Sequence, residues 1–315
     1  MSQDPSPTTI VRSDIWYTDG TVVLQAQATQ FRVYWGVLAQ QSSFFRAMQA
    51  LPQPPNQPNV DGCPIIQLHD NVADVECLLK ALFTPTVHAH SALPLSMIAA
   101  LIRLGRKYDF HELLELAVAR LTYENPSTLE EYEARMAAHA GKAYRATRIQ
   151  HYPGILIDIL TLARENDLQS VLPCAYYRVV LHHKPKQLFD GVPRGDGTTA
   201  MLAPVDQRQC IISRDELIKA RFREGYTLGW LQKWPYDSDC LNPAICNRGR
   251  FDRTHFYVQC DPLWILGRST QDKEVLCPAC YRYSNQLTTA GRKKFWEELP
   301  KFFDLPPWSE LGNDL

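Results

Sequence analysis

The first strong pattern is an alternation of apolar and polar residues that passes into helical spacing. Segments 21–26 (TVVLQA) and 31–34 (FRVY) have strand composition and are separated by a short polar turn, which predicts a β-hairpin. Apolar residues then recur at helical intervals, at Val37, Leu38, Phe44, Phe45 and Met48. Ser42 or Ser43 is placed to cap a second short helix. The pattern therefore predicts two strands followed by two short helices.

The next segments continue this mixture of strands and helices. Four prolines in residues 52–59 predict an exposed loop, because proline lacks the N–H donor that a buried ladder needs. Residues 64–68 (PIIQL) predict a third strand, and Asp70 or Asn71 is expected to cap the helix that follows. Apolar spacing over residues 94–123 predicts two buried helices joined at KYDFH.

One part of this helical pattern recurs 58 residues later. Segment 104–117 (LGRKYDFHELLELA) resembles segment 162–175 (LARENDLQSVLPCA), with identical Leu, Arg, Asp, Leu and Ala at five corresponding positions. The recurrence predicts a second helical pair packed on the first. Chance similarity between two amphipathic helices is the alternative.

Residues 190–200 are rich in glycine, which predicts a linker. The amino-acid composition changes after this segment. Six of the nine cysteines and five of the seven tryptophans follow position 209, which indicates a separate small unit at 201–315. The final aromatic segment, 301–311 (KFFDLPPWSEL), is expected to pack back on the protein. Residues 1–12 are expected to form a disordered N-terminus.

Composition narrows the class of partner. The net charge of −1 and the pI near 6.7 give no general attraction to nucleic acid or anionic lipid, so a protein partner is favoured. No signal peptide or membrane span is recognisable, which predicts an intracellular protein of the nucleus or cytoplasm. In such a compartment the cysteines are expected to be reduced.

Four motifs in order carry a family resemblance: S-D-I at 13–15, F-R-V at 31–33, V-L-A-x-x-S-x-x-F at 37–45 and L-x-x-L-G-R-K-Y-D-F at 101–110. Together they resemble a BTB/POZ domain over residues 13–123, especially the expanded basidiomycete fungal set with a Cys-bearing C-terminal region. The resemblance implies an α+β fold in which helical hairpins sandwich a small sheet, followed by a helical extension, here 124–189. It also implies homo- or hetero-oligomerisation, and in some members delivery of substrates to a cullin ubiquitin ligase.

Two departures from the family pattern qualify these implications. Tyr34 stands where the family usually has histidine, so the usual Asp–His pairing that would involve Asp14 cannot form. The loop after Met48 lacks a hydrophobic-x-Glu signal for cullin binding, so cullin recruitment is the weaker expectation. Self-association of a non-enzymatic adaptor or scaffold through 13–123, as a homodimer or hetero-oligomer, is the main hypothesis. Its strand residues Val22, Leu24, Phe31 and Val33 are expected to fill the domain's own core.

The C-terminal cysteines have metal-site spacing. Cys240-x5-Cys246 and Cys277-x2-Cys280 supply two pairs of thiolates, and four thiolates can hold one structural zinc. Cys260 and His255 are substitute ligands. Buried reduced cysteines are the competing interpretation, and a Cys277/Cys280 thiol oxidoreductase is a third, less favoured because no βαβ pattern surrounds the motif.

Other chemical signals are weaker. Basic residues beside the cysteines could form a nucleic-acid face within 240–295 of a zinc-stabilised nuclear regulator; they are Arg248, Arg250, Arg253, Arg292, Lys293 and Lys294. A solvated surface is the preferred interpretation of these residues. The pairs His88/His90 and His182/His183 are interpreted as surface histidines. No hydrolase, Walker or dinucleotide motif is present, so no catalytic residue is predicted.

Overall fold

The computed structural model describes residues 9–52, 58–84, 92–137, 144–234, 239–259, 263, 265–266 and 272–313. The chain forms two compact units. The first contains Met1–Glu124 and Ala146–Gln150, and the second contains Asn125–Arg145 and His151–Asp314. Within the described residues, no helix has the length and apolar character required to cross a membrane.

The first unit is built on a five-stranded sheet. Its strands are β1 (Val11–Trp16), β2 (Val22–Ala26), β3 (Thr29–Val33), β4 (Asn59–Val60) and β5 (Cys63–Leu68). Their order across the sheet is β1-β3-β2-β5-β4. β2 pairs antiparallel with β3 and parallel with β5, while β1 pairs parallel with β3. The predicted hairpin and third strand are confirmed.

The centre of the sheet is covered on both faces. Successive residues of a strand point to opposite faces, yet Val22, Val23 and Leu24 are all buried. Leu24 lies opposite Phe31 on one side and Ile66 on the other. The four strand residues predicted to fill the core are confirmed there, so any association surface of this unit must use other residues.

Among the described residues of the first unit, five helices pack around this sheet: α1 (Trp35–Gln41), α2 (Ser43–Ala50), α3 (Val72–Phe83), α4 (Leu95–Tyr108) and α5 (His111–Glu124). Two predicted caps are confirmed. The Ser42 hydroxyl accepts the Phe45 N–H at 3.1 Å, and the Asn71 side chain accepts the Ala73 N–H at 2.8 Å. The mixed α+β class is therefore confirmed.

Residues 146–150 return to the first unit after leaving it. The Glu124 carboxylate at the end of α5 is buried and accepts the backbone N–H groups of Thr147 and Arg148, each at 2.7 Å. Leu93 and Gln150 are joined by a backbone hydrogen bond of 2.9 Å. A fragment ending at Glu124 would lose these contacts.

Two predicted irregular segments fall partly outside the described residues. Positions 53–57 of the proline-rich loop and 1–8 of the N-terminus are among those the structure does not describe. The described ends of the loop, at 52 and 58–59, are exposed. Part of the predicted disordered N-terminus is instead a strand, because β1 begins at Val11 and pairs with β3.

The second unit is mainly helical. Its helices are α6 (Leu129–Ala137), α7 (Ile155–Glu165), α8 (Leu172–His182), α9 (Pro185–Asp190), α10 (Pro204–Ala220), α11 (Pro243–Gln259), α12 (Asp272–Val275) and α13 (Pro278–Glu297). Residues 190–200, the predicted linker, contain a two-stranded antiparallel ladder of β6 (Val192–Pro193) and β7 (Thr199–Ala200). The division of the chain at this segment stays a prediction.

The second helical pair exists as the sequence recurrence predicts. Asp109 ends α4 with φ of 55°, and Asp167, at the corresponding position after α7, has φ of 49°. The backbone bonds also correspond, because Phe110 N–H donates to Gly105 and Leu168 N–H donates to Ala163. Both helices therefore end in the same left-handed turn. Packing of the second pair on the first stays a prediction.

The aromatic tail packs back as expected. The Trp308 ring stacks on Trp296 with ring centroids 5.8 Å apart, and its Nε1–H donates to the Trp296 carbonyl at 2.8 Å. Phe303 stacks on Tyr176 at 5.0 Å. These contacts attach the end of the chain to α13 and α8.

One histidine prediction is wrong. His183 is buried, with Nδ1 2.9 Å from the Val179 carbonyl oxygen, and burial lowers the pKa of His183. The reason is that most of the circumference of α8 is buried, so the end of that helix is covered as well. His182 is exposed, as predicted, and its ring centroid lies 6.4 Å from that of Tyr144. His88 and His90 lie outside the described residues.

Candidate metal centre and interaction domain

The second unit brings four cysteine sulfurs together. Cys240 lies in the loop before α11 and Cys246 one turn inside that helix. Cys277 directly precedes α13 and Cys280 lies in its first turn. The four Sγ atoms all lie within 4.8 Å of one another. Two pairs that are about thirty residues apart in sequence thus meet at one place, and their role as metal ligands stays a prediction.

Local sequence determines how each pair enters its helix. Pro278 occupies the first turn of α13, where a missing N–H costs nothing, and Cys277 before it is extended. The Asn242 side chain accepts the Ile245 N–H at 3.2 Å and so caps the start of α11. The Cys277 N–H donates to the Cys246 sulfur at 3.3 Å, which links the two pairs.

A glycine lets the two chain segments approach closely. A Cβ atom at Gly249 of α11 would lie 2.2 Å from the Val275 carbonyl oxygen at the end of α12. Real side chains do not tolerate such a distance, so only glycine permits this crossing. The close approach brings α11 next to the segment that leads into Cys277.

The cysteines lie in an apolar and aromatic environment. Cys246 and Cys280 are buried in one cluster with Leu228, Trp230, Leu231, Tyr257 and Leu276. Cys240 and Cys277 are half-buried and pack against that cluster. This cluster is small, so an ion that joins four of its side chains would add directly to the folding free energy.

The thiols strongly influence one another. Burial acts to raise the pKa of Cys277, but N–H donors from Cys280 and Leu241 and the thiols of Cys280 and Cys246 outweigh it and lower the pKa to about 6. Burial, together with hydrogen bonds to the neighbouring sulfurs, raises the pKa of Cys280. Burial also raises the pKa of Cys246. Metal ions bind cysteine as thiolate, so metal binding would release the protons that these thiols carry.

The cluster fits a tetrahedral thiophilic ion. With metal–sulfur bonds of about 2.3 Å, tetrahedral geometry places sulfur atoms about 3.8 Å apart. The present limit of 4.8 Å leaves an inward shift of about 1 Å or less for the sulfurs. Four sulfur ligands suit zinc, whereas magnesium and calcium prefer oxygen.

An ion pair fixes the part of α11 that follows the cysteines. Arg253 Nε donates to Asp272 Oδ1 at 2.6 Å, and the Tyr257 hydroxyl donates to Asp272 Oδ2 at 3.0 Å. Both charged side chains are buried, at 8% and 9% exposure. This pair joins α11 to α12 and thereby supports the loop that carries Cys277.

Two of the arginines predicted to form a basic face are buried. Arg253 is buried with Asp272, and Arg292 is buried with its Nε donating to the Leu266 carbonyl and its Nη1 2.6 Å from Glu133. These guanidinium groups stabilise the interior of the unit, so they are not available to phosphates. The nucleic-acid alternative therefore finds no support in the geometry.

Neither of the two substitute ligands, His255 and Cys260, is found with the four cysteines among the described residues. His255 is exposed, and its Nε2 lies 2.9 Å from the Gln259 amide nitrogen. Cys260 lies outside the described residues. The four cysteines first chosen by spacing are therefore the described set that converges.

The thiol oxidoreductase alternative finds partial chemical support only. Cys277 lies at a helix N-terminus with a lowered pKa, as a reactive Cys-x-x-Cys thiol does. The described segment before it is the helix α12, so no strand of a βαβ unit leads into the motif. Two further sulfurs within 4.8 Å are the pattern of a metal site.

Sequence reasoning missed Trp230 and Asp272 as residues around the cluster, and it assigned Arg250 to a nucleic-acid face. The signal for Arg250 was available, since it lies four residues after Cys246 and thus on the same helix face. Neither Trp230 nor Asp272 shows a comparable spacing to a cysteine. Their proximity arises from tertiary packing.

The first unit presents a different kind of surface. Strand β1 is at one edge of the sheet and pairs, among the described residues, with β3. Ile10 and Val11 at its start are 47% and 55% exposed. Phe44 and Leu51, within and after α2, are also exposed large apolar side chains. Apolar groups of this kind on an edge strand favour contact with another chain.

Tyr34, which stands where the family usually has histidine, forms a hydrogen bond with a different aspartate. The Tyr34 hydroxyl donates to Asp19 Oδ1 at 2.6 Å, and the Tyr34 ring lies 5.0 Å from the Tyr17 ring. The departure noted in the sequence therefore replaces the expected pairing with Asp14 by a pairing with Asp19.

A five-stranded sheet surrounded by helical hairpins and carrying an exposed apolar edge defines a protein–protein interaction domain. Residues 15–124 match the BTB/POZ domain, which establishes that domain in this part of the chain. A comparison with curated proteins finds no match. The predicted BTB/POZ resemblance is therefore confirmed for the domain, while membership of the fungal set stays a prediction.

Proposed function

We propose that this protein is a non-enzymatic adaptor or scaffold. It oligomerises through residues 13–123, either with a second copy of itself as a homodimer or with another protein as a hetero-oligomer. The observation that carries the proposal is the BTB/POZ domain at residues 15–124, because such domains act as protein–protein interaction modules. The described cysteines are all free thiols, which supports a reducing compartment, the nucleus or the cytoplasm. Cullin recruitment is not included, because no recruitment signal follows Met48.

The start of β1 is the part of the domain best suited to self-association. A strand edge with unpaired backbone groups can pair with a second chain, and Ile10 and Val11 add apolar area there. The buried residues of β2 and β3 are already used by the domain's own core. The contact is therefore expected at the periphery of the sheet.

Val11→Asp in the full chain tests the self-association. The aspartate would place a charge in the contact, so dimer affinity is expected to fall on the order of tenfold or more. Light scattering coupled to size exclusion at tens of micromolar should show the wild type as an oligomer and the variant shifted toward monomer. Val205→Asp is the matched control, because Val205 is a similarly exposed valine of the second unit, at 60%.

Two outcomes would contradict this proposal. A strictly monomeric wild-type chain at those concentrations would remove self-association. Equal masses for Val11→Asp and the wild type, with both oligomeric, would remove β1 as the contact.

Exposed apolar side chains in the second unit support the adaptor role. Five large apolar side chains in or next to α11 are exposed: Leu241, Ile245, Phe251, Phe256 and Val258. Large apolar side chains left exposed on one helix favour contact with another chain. A scaffold needs such contacts in addition to its self-associating domain.

We also propose that Cys240, Cys246, Cys277 and Cys280 hold one structural zinc. The convergence of their sulfurs within 4.8 Å supports this assignment. Metal analysis of the untagged full chain is expected to give about one zinc per chain. A zinc content near zero after purification in the presence of zinc, with all cysteines reduced, would contradict the assignment.

A further inference from the structure

We propose that Arg250 is the counter-charge of the metal centre, a positioning residue that sets how tightly the four thiolates hold a divalent ion. This inference rests on the proposed zinc site. A divalent ion bound by four thiolates leaves two net negative charges. In a largely buried site such a charge is costly unless a cation lies beside it.

Arg250 lies where such a cation is needed. It follows Cys246 by one helical turn, so both side chains project from the same face of α11. Its guanidinium carbon lies 5.0 Å from the centre of the Trp234 ring, which holds the half-buried side chain against the cluster. Burial lowers the pKa of Arg250, while the nearby Cys280 and Cys246 sulfurs act to raise it.

Two buried N–H groups around the cluster lack an acceptor among the described residues. They are Nε of Arg250 and Nε1 of Trp230. Buried donors in folded proteins are nearly always hydrogen-bonded, so each unpaired donor indicates an acceptor that has still to be supplied. Trp230 belongs to the same apolar cluster as Cys246 and Cys280, and its ring lies 5.8 Å from that of Trp234. Metal-bound thiolates are acceptors of this kind, and the small inward shift of the sulfurs on metal binding would adjust their positions.

Neighbouring basic residues have other roles. Arg253 is paired with Asp272, and Arg292 with Glu133. Arg248 is exposed, two residues before Arg250 on the same helix. Arg248 therefore provides a control with the same charge and the same helix, but a different environment.

Cobalt titration of the full chain tests the inference. Co²⁺ replaces zinc in thiolate sites and gives sulfur-to-metal charge-transfer absorption whose intensity reports the number of thiolate ligands. In Arg250→Gln, Co²⁺ and Zn²⁺ affinity, measured by competition with a chelator, is expected to fall by roughly 10- to 100-fold. The absorption at saturation should still show four sulfur ligands. Arg248→Gln should bind like the wild type.

Arg250→Lys separates charge from shape. Lysine keeps the positive charge but cannot stack a planar group on Trp234, so an intermediate affinity is expected. This conservative variant also gives a result if Arg250→Gln fails to fold. Wild-type affinity in both Arg250 variants, equal to that of Arg248→Gln, would overturn the inference while leaving the zinc site intact. Absence of any cobalt–thiolate absorption in the wild type would overturn the zinc proposal itself and this inference with it.

Discussion

Cys280→Ser in the full chain is expected to lower the midpoint of thermal unfolding of the second unit by roughly 10 °C or more. Cys280 is buried in the cluster and its sulfur lies within 4.8 Å of the other three. Serine is a poor zinc ligand, so the variant would lose the ion and the link between α11 and α13. Tryptophan fluorescence can follow the transition, because five of the seven tryptophans follow position 209.

Two controls separate loss of metal from loss of a buried thiol. A chelator should destabilise the wild type about as much as the substitution does, and should add little to the Cys280→Ser variant. Cys77→Ser changes a half-buried thiol of the first unit and should leave zinc content unchanged. A chelator that has no effect on the wild type, beside a strongly destabilised Cys280→Ser, would show that the cysteine acts through packing alone.

Much of the first unit could be predicted because its local signals agree with its tertiary structure. The alternation in 21–34 determines a hairpin, and Ser42 and Asn71 lie at the cap positions that their side chains favour. Asp109 and Asp167 explain why the two similar segments fold alike. Aspartate tolerates the left-handed conformation in which both helices end.

The sequence spacing predicted that the four cysteines converge, but it did not predict the residues that surround them. The x2 spacing of Cys277 and Cys280 is typical of two ligands of one metal ion, and the more widely spaced pair Cys240 and Cys246 brings the number of candidate ligands to four. Spacing carries no information about what else folds over the site. The burial of His183 and the internal use of Arg253 and Arg292 both follow from long-range packing, which a local pattern of charges does not reveal.

Asp272→Ala is expected to destabilise the second unit by about 3–5 kcal/mol. The substitution leaves the buried Arg253 guanidinium without its carboxylate and removes the acceptor of the Tyr257 hydroxyl. Urea unfolding at a fixed zinc concentration measures the change. Asp215→Ala is the matched control, because Asp215 pairs with Lys219 on the surface of α10, where water solvates both charges. Its unfolding midpoint should be close to that of the wild type.

A double substitution tests whether the cost of Asp272→Ala comes from the unpaired charge. Removing both charges leaves no uncompensated ion, so Arg253→Met combined with Asp272→Ala should recover much of the lost stability. Additive losses in the double variant would instead assign the effect to side-chain packing. An Asp272→Ala variant as stable as Asp215→Ala would contradict the buried pair, and with it the view that α12 holds α11 in place beside Cys277.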